Sequence, residues 1–320
     1  MPETKQSRHV TTPAPPILAL DHVSRRLAGR TVVRDLNLEL ARGGVLGLLG
    51  VNGAGKTTTL RMIAGVLAPS AGCVRLGGAN LYEQPELARR RIGYLPETPP
   101  LHPELSTDEF LRFCARLHGV ASDEVAAAVA RVIERCELGD VRRRPMATLS
   151  KGFRQRVGLA QAIVHAPELI VLDEPASGLD PVQALKLREI VRSLGRDHAV
   201  VLSTHVLPDV SACCDRVAIL HHGELRHCAS LNKPCGGVLR VGVAQSLRAE
   251  DWLALPGVAA VEPIDAHHWR VQLAPDVAVS AFAACIVERG HELEELRAET
   301  TALEGVFLAI AAADAPAATA

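Results

Sequence analysis

An α/β core built on a mixed sheet, with a smaller α+β unit after it, is the architecture this sequence predicts. A glycine-rich loop, Gly50–Thr57, separates the apolar run Val45–Leu49 from the helix-like stretch Thr58–Leu67. Short apolar runs and helical segments alternate again from Leu169 to Leu220. Beyond residue 232 the character changes, and both tryptophans, Trp252 and Trp269, fall there. With 320 residues the chain is long enough for two separate cores.

Residues 1–16 carry Pro13, Pro15 and Pro16 among polar residues and read as a disordered lead-in. Alternating apolar positions over Ile17–Val23 and Val32–Leu40 predict antiparallel strands ahead of the glycine loop. From Ser106 to about His165 the pattern turns helical. Ser106-Thr107-Asp108-Glu109 resembles a capping box before apolar positions at Phe110, Phe113 and Leu117, and a second helix covers Ser122–Cys136. This helical subdomain, about residues 98–165, sits inside a core spanning 17–232. Alternation resumes with strand Leu169–Leu172, helix Val182–Leu194, strand Ala199–Ser203, helix Leu207–Cys213 and strand Val217–Leu220. The accessory unit, 237–312, reads as strands at 238–243, 258–263, 268–273 and 292–297 with helices at 248–254 and 276–289. That order, β-α-β-β-α-β, is ferredoxin-like. A last helix, Thr301–Ala312, precedes a loose Ala/Pro tail over 313–320, and no internal repeat is visible.

Composition excludes several classes. With 35 basic and 36 acidic residues the net charge is −1, so no overall attraction to nucleic acid is expected. No apolar run reaches the length of a membrane span, and no signal-peptide core is visible, so a cytoplasmic chain is expected. The eight cysteines, at 73, 114, 136, 213, 214, 228, 235 and 285, form no C-x-x-C pair and read as small buried hydrophobes. His221-His222 with His227-Cys228 and Cys235 fits no standard zinc spacing, and Gly223 predicts a turn between two strands there.

The loop reads Gly50-Val51-Asn52-Gly53-Ala54-Gly55-Lys56-Thr57, matching G-x-x-x-x-G-K-[ST]. Glycines let backbone N–H groups close around the phosphates of a nucleotide, and the following helix N-terminus favours their charge. Lys56 supplies a point charge and the Thr57 hydroxyl a ligand for Mg²⁺. Downstream, Leu169–Leu172 ends in Asp173-Glu174-Pro175. A buried strand delivers Asp173 rigidly to the Mg²⁺ shell, while Glu174, one residue on, can orient or deprotonate a water. Neither segment is specific alone; together, with a helical insertion between them, they point to a nucleotide hydrolase.

Between them lies Leu149-Ser150-Lys151-Gly152-Phe153-Arg154-Gln155-Arg156. Here the chain resembles the nucleotide-binding subunit of an ABC transporter, whose leucine-serine-glycine-glycine-glutamine signature is matched at Leu149, Ser150 and Gly152. Lys151 and Phe153 depart from it in the manner of exporter-type ATPases with a separately encoded permease. Further elements follow: Ile92–Glu97 resembles the Q-loop, Ser177–Asp180 the D-loop, Ser203-Thr204-His205 the switch histidine, and Leu303–Leu308 a motif closing many exporter ATPases. A histidine after a strand is usually structural; His205, 32 residues beyond Asp173 (205 − 173), reads otherwise.

The resemblance implies a P-loop NTPase core of the ABC ATPase kind over about 17–232. It implies ATP and Mg²⁺ as cofactors and catalytic roles for Lys56, Glu174 and His205. Nucleotide contacts would come from Asn52, Gly53, Ala54, Gly55, Lys56, Thr57, Thr58, Ser150, Gly152 and Asp180, and metal contacts from Thr57, Glu97 and Asp173. Ser150 and Gly152, at a probable helix start, would bind the γ-phosphate held by an opposite subunit, so that two ATP molecules are sandwiched in a head-to-tail dimer. Asp180 would position water and His205 across that interface and also cap a helix before Pro181. The dimer, of two copies or of one copy and a related ATPase, would drive an integral-membrane permease from the cytoplasmic face, in export, with no nucleic-acid partner. Two other classes compete: a soluble ABC-type ATPase outside transport, and a catalytically silent partner in a heterodimer.

Two positions depart from the family. The aromatic residue that stacks on adenine falls near Leu27, which predicts weaker binding and poor discrimination between ATP and GTP. Glu97 stands where glutamine is usual; it can still ligate Mg²⁺ but only accepts hydrogen bonds and adds negative charge. The runs Arg89-Arg90-Arg91 and Arg142-Arg143-Arg144 read as a solvated or phosphate-adjacent face, or as a face near permease or lipid. By resemblance, Thr98–Phe113 is the permease docking surface.

Overall fold

The computed structural model describes residues 15–231, 238–274, 277–298 and 301–312. The expected lead-in over 1–14, the segment 232–237 with Cys235, and the tail 313–320 lie outside the described residues. Two compact units divide between Ala229 and Ser230.

The first unit begins with β1 (Leu18–Leu27), β2 (Arg30–Leu40), β3 (Val45–Leu49), α1 (Lys56–Ile63), β4 (Ala71–Leu76), β5 (Ala79–Asn80), α2 (Pro85–Arg91) and β6 (Ile92–Leu95). Helices α3 (Thr107–Leu117), α4 (Val125–Arg135) and α5 (Lys151–Ile163) follow. The chain returns to the core with β7 (Leu169–Leu172), α6 (Pro181–Leu194), β8 (Ala199–Thr204), α7 (Leu207–Cys213), β9 (Arg216–His221) and β10 (Glu224–Ser230).

Two sheets result. A six-stranded one has the order β10-β9-β3-β8-β7-β6, with β3 pairing parallel to both β8 and β9. Fully buried strands such as β3 and β7 are apolar throughout, as a parallel sheet covered on both faces requires. The expected antiparallel strands do not join this sheet. β1 and β2 pair with each other and, through β4 and β5, make a separate four-stranded sheet. Helix α1 joins the two into one core, burying Leu60, Met62 and Ile63 against residues of both sheets. Each such side chain contributes about 1.5–3 kcal/mol. The helix starts at Lys56 and ends at Ile63, short of the expected Leu67, because Gly65 takes φ +71° and closes it.

In the helical subdomain Ser106 starts α3 with a capping box: its Oγ accepts from Glu109 N at 3.3 Å, and Glu109 Oε2 accepts from Ser106 N at 2.9 Å. The arginine runs are not simply solvated. Arg91 Nε donates to Glu168 Oε1 at 2.6 Å, and Arg142 Nε to Asp108 Oδ1 at 2.7 Å. Both tie the ends of helices to neighbouring segments. The His222-Gly223 turn links β9 to β10; among the described residues no cluster of three or more His, Cys, Asp or Glu is arranged to hold a metal ion.

The second unit runs β11 (Val238–Val243), α8 (Ala249–Leu253), β12 (Val258–Pro263), β13 (His268–Leu273), α9 (Val279–Glu288), β14 (Leu293–Ala298) and α10 (Thr301–Ala312). Its antiparallel sheet has the order β12-β13-β11-β14, the split βαβ arrangement. Trp252, Trp269, Phe282 and Ile286 form its core with Val241 and Val271. Among the described residues no helix is long and apolar enough to cross a membrane.

Candidate functional site

Strands β3, β7 and β8 run parallel and end side by side, so the residues just beyond them converge. In open α/β sheets that edge, outside the carboxyl ends of the strands, is where ligands bind. Beyond β3 lies the glycine loop. Gly55 takes φ +100°, and a β-carbon there would lie 2.9 Å from Val32 O. At Gly50 the clash would be with Leu220 O, at 2.4 Å. The loop's glycines are therefore required by the fold before any ligand is considered.

Lys56, first residue of α1, is 6 % exposed. Its Nζ donates to Gly50 O at 2.7 Å and lies 3.4 Å from Glu174 Oε1. Thr57 Oγ1 donates to Asp173 Oδ1 at 3.1 Å, and Ser203 Oγ donates to the same oxygen at 2.7 Å. Asp173 is 1 % exposed at the tip of β7. Glu174 adopts the left-handed region, φ +46°, rare for a residue with a side chain. Its N–H is held by Ser203 Oγ at 2.9 Å, and its Oε2 lies 2.8 Å from His205 Nδ1. One carboxylate thus bridges the loop lysine and the histidine beyond β8. Thr204 donates to Asp209 Oδ2 at 3.0 Å, and Arg188 Nε holds Asp209 Oδ1 at 2.8 Å, which fixes the start of α7 behind His205.

Asn52, Gly53, Gly55, Lys56, Thr57, Thr58, Glu97, Glu174 and His205 line one open cleft of about 390 Å³, joined by Val32 and Ser177. Ala54 is buried within the loop. Ser150, Gly152 and Asp180 do not line the cleft. Ser150 caps α5, accepting from Phe153 N at 3.4 Å, and Asp180 caps α6, accepting from Val182 N and Gln183 N at 3.1 and 3.0 Å. Ser177 and Ser203 fall within the D-loop and switch elements read from the sequence but receive no individual role there, and Val32 reads only as a strand residue.

Lys56 lies 3.4 Å from the Glu174 carboxylate, and Glu97 is the other carboxylate lining the cleft. Thr57, Asp173 and Glu97 offer only oxygen donors, the set a small hard cation prefers. The residues fit a Mg²⁺ that arrives with phosphate ligands of its own.

A second, mostly apolar groove of about 480 Å³ lies on the same unit, lined by Arg89, Tyr94, His102, Phe110, Phe113 and Leu117 among others. Phe113 and Leu117 are 49 % and 71 % exposed there. His118 and His165 stack in parallel beside it, ring centroids 4.0 Å apart. Burial, together with His118, holds His165 well below the usual histidine range, at about 4.

Residues 33–177 match the family described as ABC transporter. The chain is 32 % identical over 301 residues to the uncharacterized ABC transporter ATP-binding protein YxlF of Bacillus subtilis, covering 92 % of this chain and 99 % of that one. It is 33 % identical over 211 residues to the bacitracin transport ATP-binding protein BcrA of Bacillus licheniformis, covering 65 % and 68 %. A solved structure described as the ATP-binding subunit of an ABC transporter is 32 % identical, with TM-score 0.62, over 68 % of this chain and 91 % of that one.

Proposed function

The chain belongs to the ABC transporter ATP-binding proteins and is an ATPase of that kind, and from that premise we propose that it works as a two-fold, head-to-tail nucleotide-sandwich dimer driving an integral-membrane permease in export. One observation carries the hydrolytic part: Glu174 sits between Lys56 at 3.4 Å and His205 at 2.8 Å, in a cleft lined by Thr57, with Asp173 buried behind that threonine. In this reading the glycine loop and Lys56 grip the β- and γ-phosphates of ATP. Thr57, Asp173 and Glu97 would hold Mg²⁺, which supplies charge neutralisation on the phosphate oxygens. Glu174 takes a proton from the water that attacks the γ-phosphorus, the bond to the departing ADP oxygen breaks, and His205 keeps the water in line. The α5 N-terminus of the partner copy, with Ser150 and Gly152, covers the γ-phosphate, and Asp180 sits at the same junction.

The bacitracin transport name of one relative supports transport, and the Leu303–Leu308 segment, which resembles a motif closing many exporter ATPases, supports export. The groove around Phe110, Phe113 and Leu117 is the docking surface we assign to the permease, since it is apolar, exposed and overlaps the Thr98–Phe113 segment. That permease would hold the chain at the cytoplasmic face of the membrane.

Replacing Glu174→Gln tests the core of this. Hydrolysis should slow by about 10²–10⁴-fold while ATP still binds, and a dimer should accumulate with MgATP. Parental turnover in that variant would remove Glu174 as the base. Lys56→Ala should lose nucleotide binding, and co-purification of the chain with its membrane partner should fail for Phe113→Glu if the groove is the docking surface.

A further inference from the structure

Three contacts join the first two turns of α5 to the segment 178–183 that ends in the first turn of α6, and none of these residues lines the cleft. Lys151 stands where the family signature has glycine. Its ammonium rests on the backbone of Gly178: a β-carbon added to that glycine, at φ +64°, would fall 2.2 Å from Lys151 Nζ. At the next residue, a β-carbon added to Gly152 would lie 2.8 Å from Gln183 Oε1. The same Gln183 oxygen accepts from Arg156 Nη2 at 3.3 Å. Arg156 is 3 % exposed. Its other terminal nitrogen donates to the carbonyls of Cys136 and Glu137 at 3.4 and 3.1 Å and lies 3.3 Å from Glu137 Oε2, and its guanidinium stacks on Phe153 at 4.4 Å.

Both cations are placed against the simple preferences of a helix and a core. Lys151 sits at the positive end of the α5 dipole, where a cation is disfavoured, and no acidic residue in the first turn offsets it. A buried guanidinium is costly unless it is paired and hydrogen-bonded. Here the two terminal nitrogens of Arg156 are paired by the α4–α5 connection and α6 and its plane stacks on Phe153 of α5, while Nε is buried without a hydrogen-bond partner. What this placement secures is a fixed distance between two helix starts, each capped by a residue of interest, Ser150 on α5 and Asp180 on α6.

We propose that Lys151, Arg156 and Gln183 form a brace that makes these two helix starts one rigid piece, so that Ser150 and Asp180 are delivered together to the nucleotide of a partner copy. They are positioning residues: they touch neither phosphate nor water, and they act by fixing the spacing of the residues that do. The brace rests on the sandwich-dimer reading above, and it adds that a residue departing from the family signature, Lys151, belongs to the interface machinery. A loosened brace leaves each chain's own cleft intact, so nucleotide affinity of the single chain is unaffected while closure of the pair is impaired.

The test compares the 320-residue chain with Lys151→Met, which keeps the side-chain stem, Gln183→Leu, which keeps the volume but not the acceptor, and Gln183→Glu, which restores an acceptor for Arg156. MgATP affinity is measured by titration at dilutions where the chain is monomeric, and turnover by phosphate release. Dimer lifetime is read with MgATP in the Glu174→Gln background. Lys151→Met and Gln183→Leu should lose about 10-fold to 100-fold in kcat, with dimers that dissociate correspondingly faster and an unchanged monomer Kd. Gln183→Glu should recover most of the rate. A Glu174→Gln parent that dimerises, with brace variants matching it in lifetime and kcat, overturns the brace alone. So does a loss of monomer affinity as large as the loss of rate, which marks plain misfolding of the segment. A Glu174→Gln parent that stays monomeric with MgATP overturns the sandwich itself and the brace with it.

Discussion

Ser203→Ala is the substitution whose effect the structure defines most fully. The serine is wholly buried at the end of β8. Its hydroxyl donates to Asp173 Oδ1 at 2.7 Å and accepts from Glu174 N at 2.9 Å, so one oxygen holds both consecutive carboxylate residues. A hydrogen bond to a charged group contributes about 1.5–3 kcal/mol, and a buried N–H left unpaired costs about 1–3 kcal/mol. The two losses share one site and are not additive, and Asp173 keeps its bond from Thr57, so a total of about 2–4 kcal/mol is expected. Glu174 is also held at φ +46°, a conformation that costs about 1–3 kcal/mol and persists only where its surroundings enforce it. Without the Ser203 anchor its carboxylate should drift from the line between Lys56 and His205, and a displacement near 1 Å costs about 10²-fold in rate. The assay is steady-state phosphate release at saturating MgATP, beside urea unfolding and a nucleotide titration. Expected are a fall in kcat of about 10-fold to 100-fold, a lower urea midpoint, and a nucleotide Kd within about 3-fold of the parent. A variant with parental kcat and parental midpoint would refute the assignment of Ser203 as the common anchor.

Other perturbations follow from the same geometry. Leu27, 38 % exposed at the end of β1, offers no ring to a base, so Leu27→Tyr should tighten ATP binding by roughly tenfold or more, since stacking contributes about 1–3 kcal/mol; equal affinities of parent and variant for ATP would refute this. Glu97→Gln removes one of the two carboxylates lining the cleft and should strengthen nucleotide binding in the absence of Mg²⁺ while changing kcat by less than about tenfold; weaker metal-free binding would contradict the charge argument. His165 titrates near 4 in the folded chain against an ordinary 6.5, so between those values the unfolded chain binds more protons and stability declines as pH falls. Between pH 7 and 5 that decline amounts to about 2 kcal/mol, and His165→Gln should show a shallower loss in urea midpoints over the same range. Parallel losses in both proteins would show that the stacked pair is not the source.

What was legible in the sequence was what is contiguous along it. The phosphate loop, the Asp173-Glu174 pair and the His205 turn are each specified within a few residues, because a strand that ends and a chain that turns leave local marks. The capping box at Ser106 was readable for the same reason. The failures share the opposite property. The separation of β1 and β2 into their own sheet depends on pairing with β4, some fifty residues on, and short strands such as β4 and β5 carry little pattern of their own. Ser203 is assigned by what β7 places beside it, which no spacing rule along the chain encodes. The arginine runs were legible only in part, for Arg89, Arg90, Arg143 and Arg144 are exposed as a solvated face requires, whereas Arg91 and Arg142 pair with Glu168 and Asp108 in other segments.

Among the predicted site residues that do not line the cleft, Ala54 and Asp173 are buried beside it, whereas the signature residues Ser150 and Gly152, and Asp180 after them, belong to other helix starts. Their absence from it is informative when charge is counted. The cleft sets Lys56 beside two carboxylates, Glu97 and Glu174, while the α5 N-terminus has no acid in its first turn and carries an added cation at Lys151. One surface of the chain lacks positive charge for a triphosphate and another holds a surplus with no anion of its own. In a single chain the α5 start does not line the cleft, so it cannot cover a nucleotide bound there. Two copies related by a two-fold axis can, because each then offers its surplus to the other's deficit, and the arrangement closes at two. That complementarity, rather than the motif match alone, is why the sandwich dimer is the reading proposed for this chain.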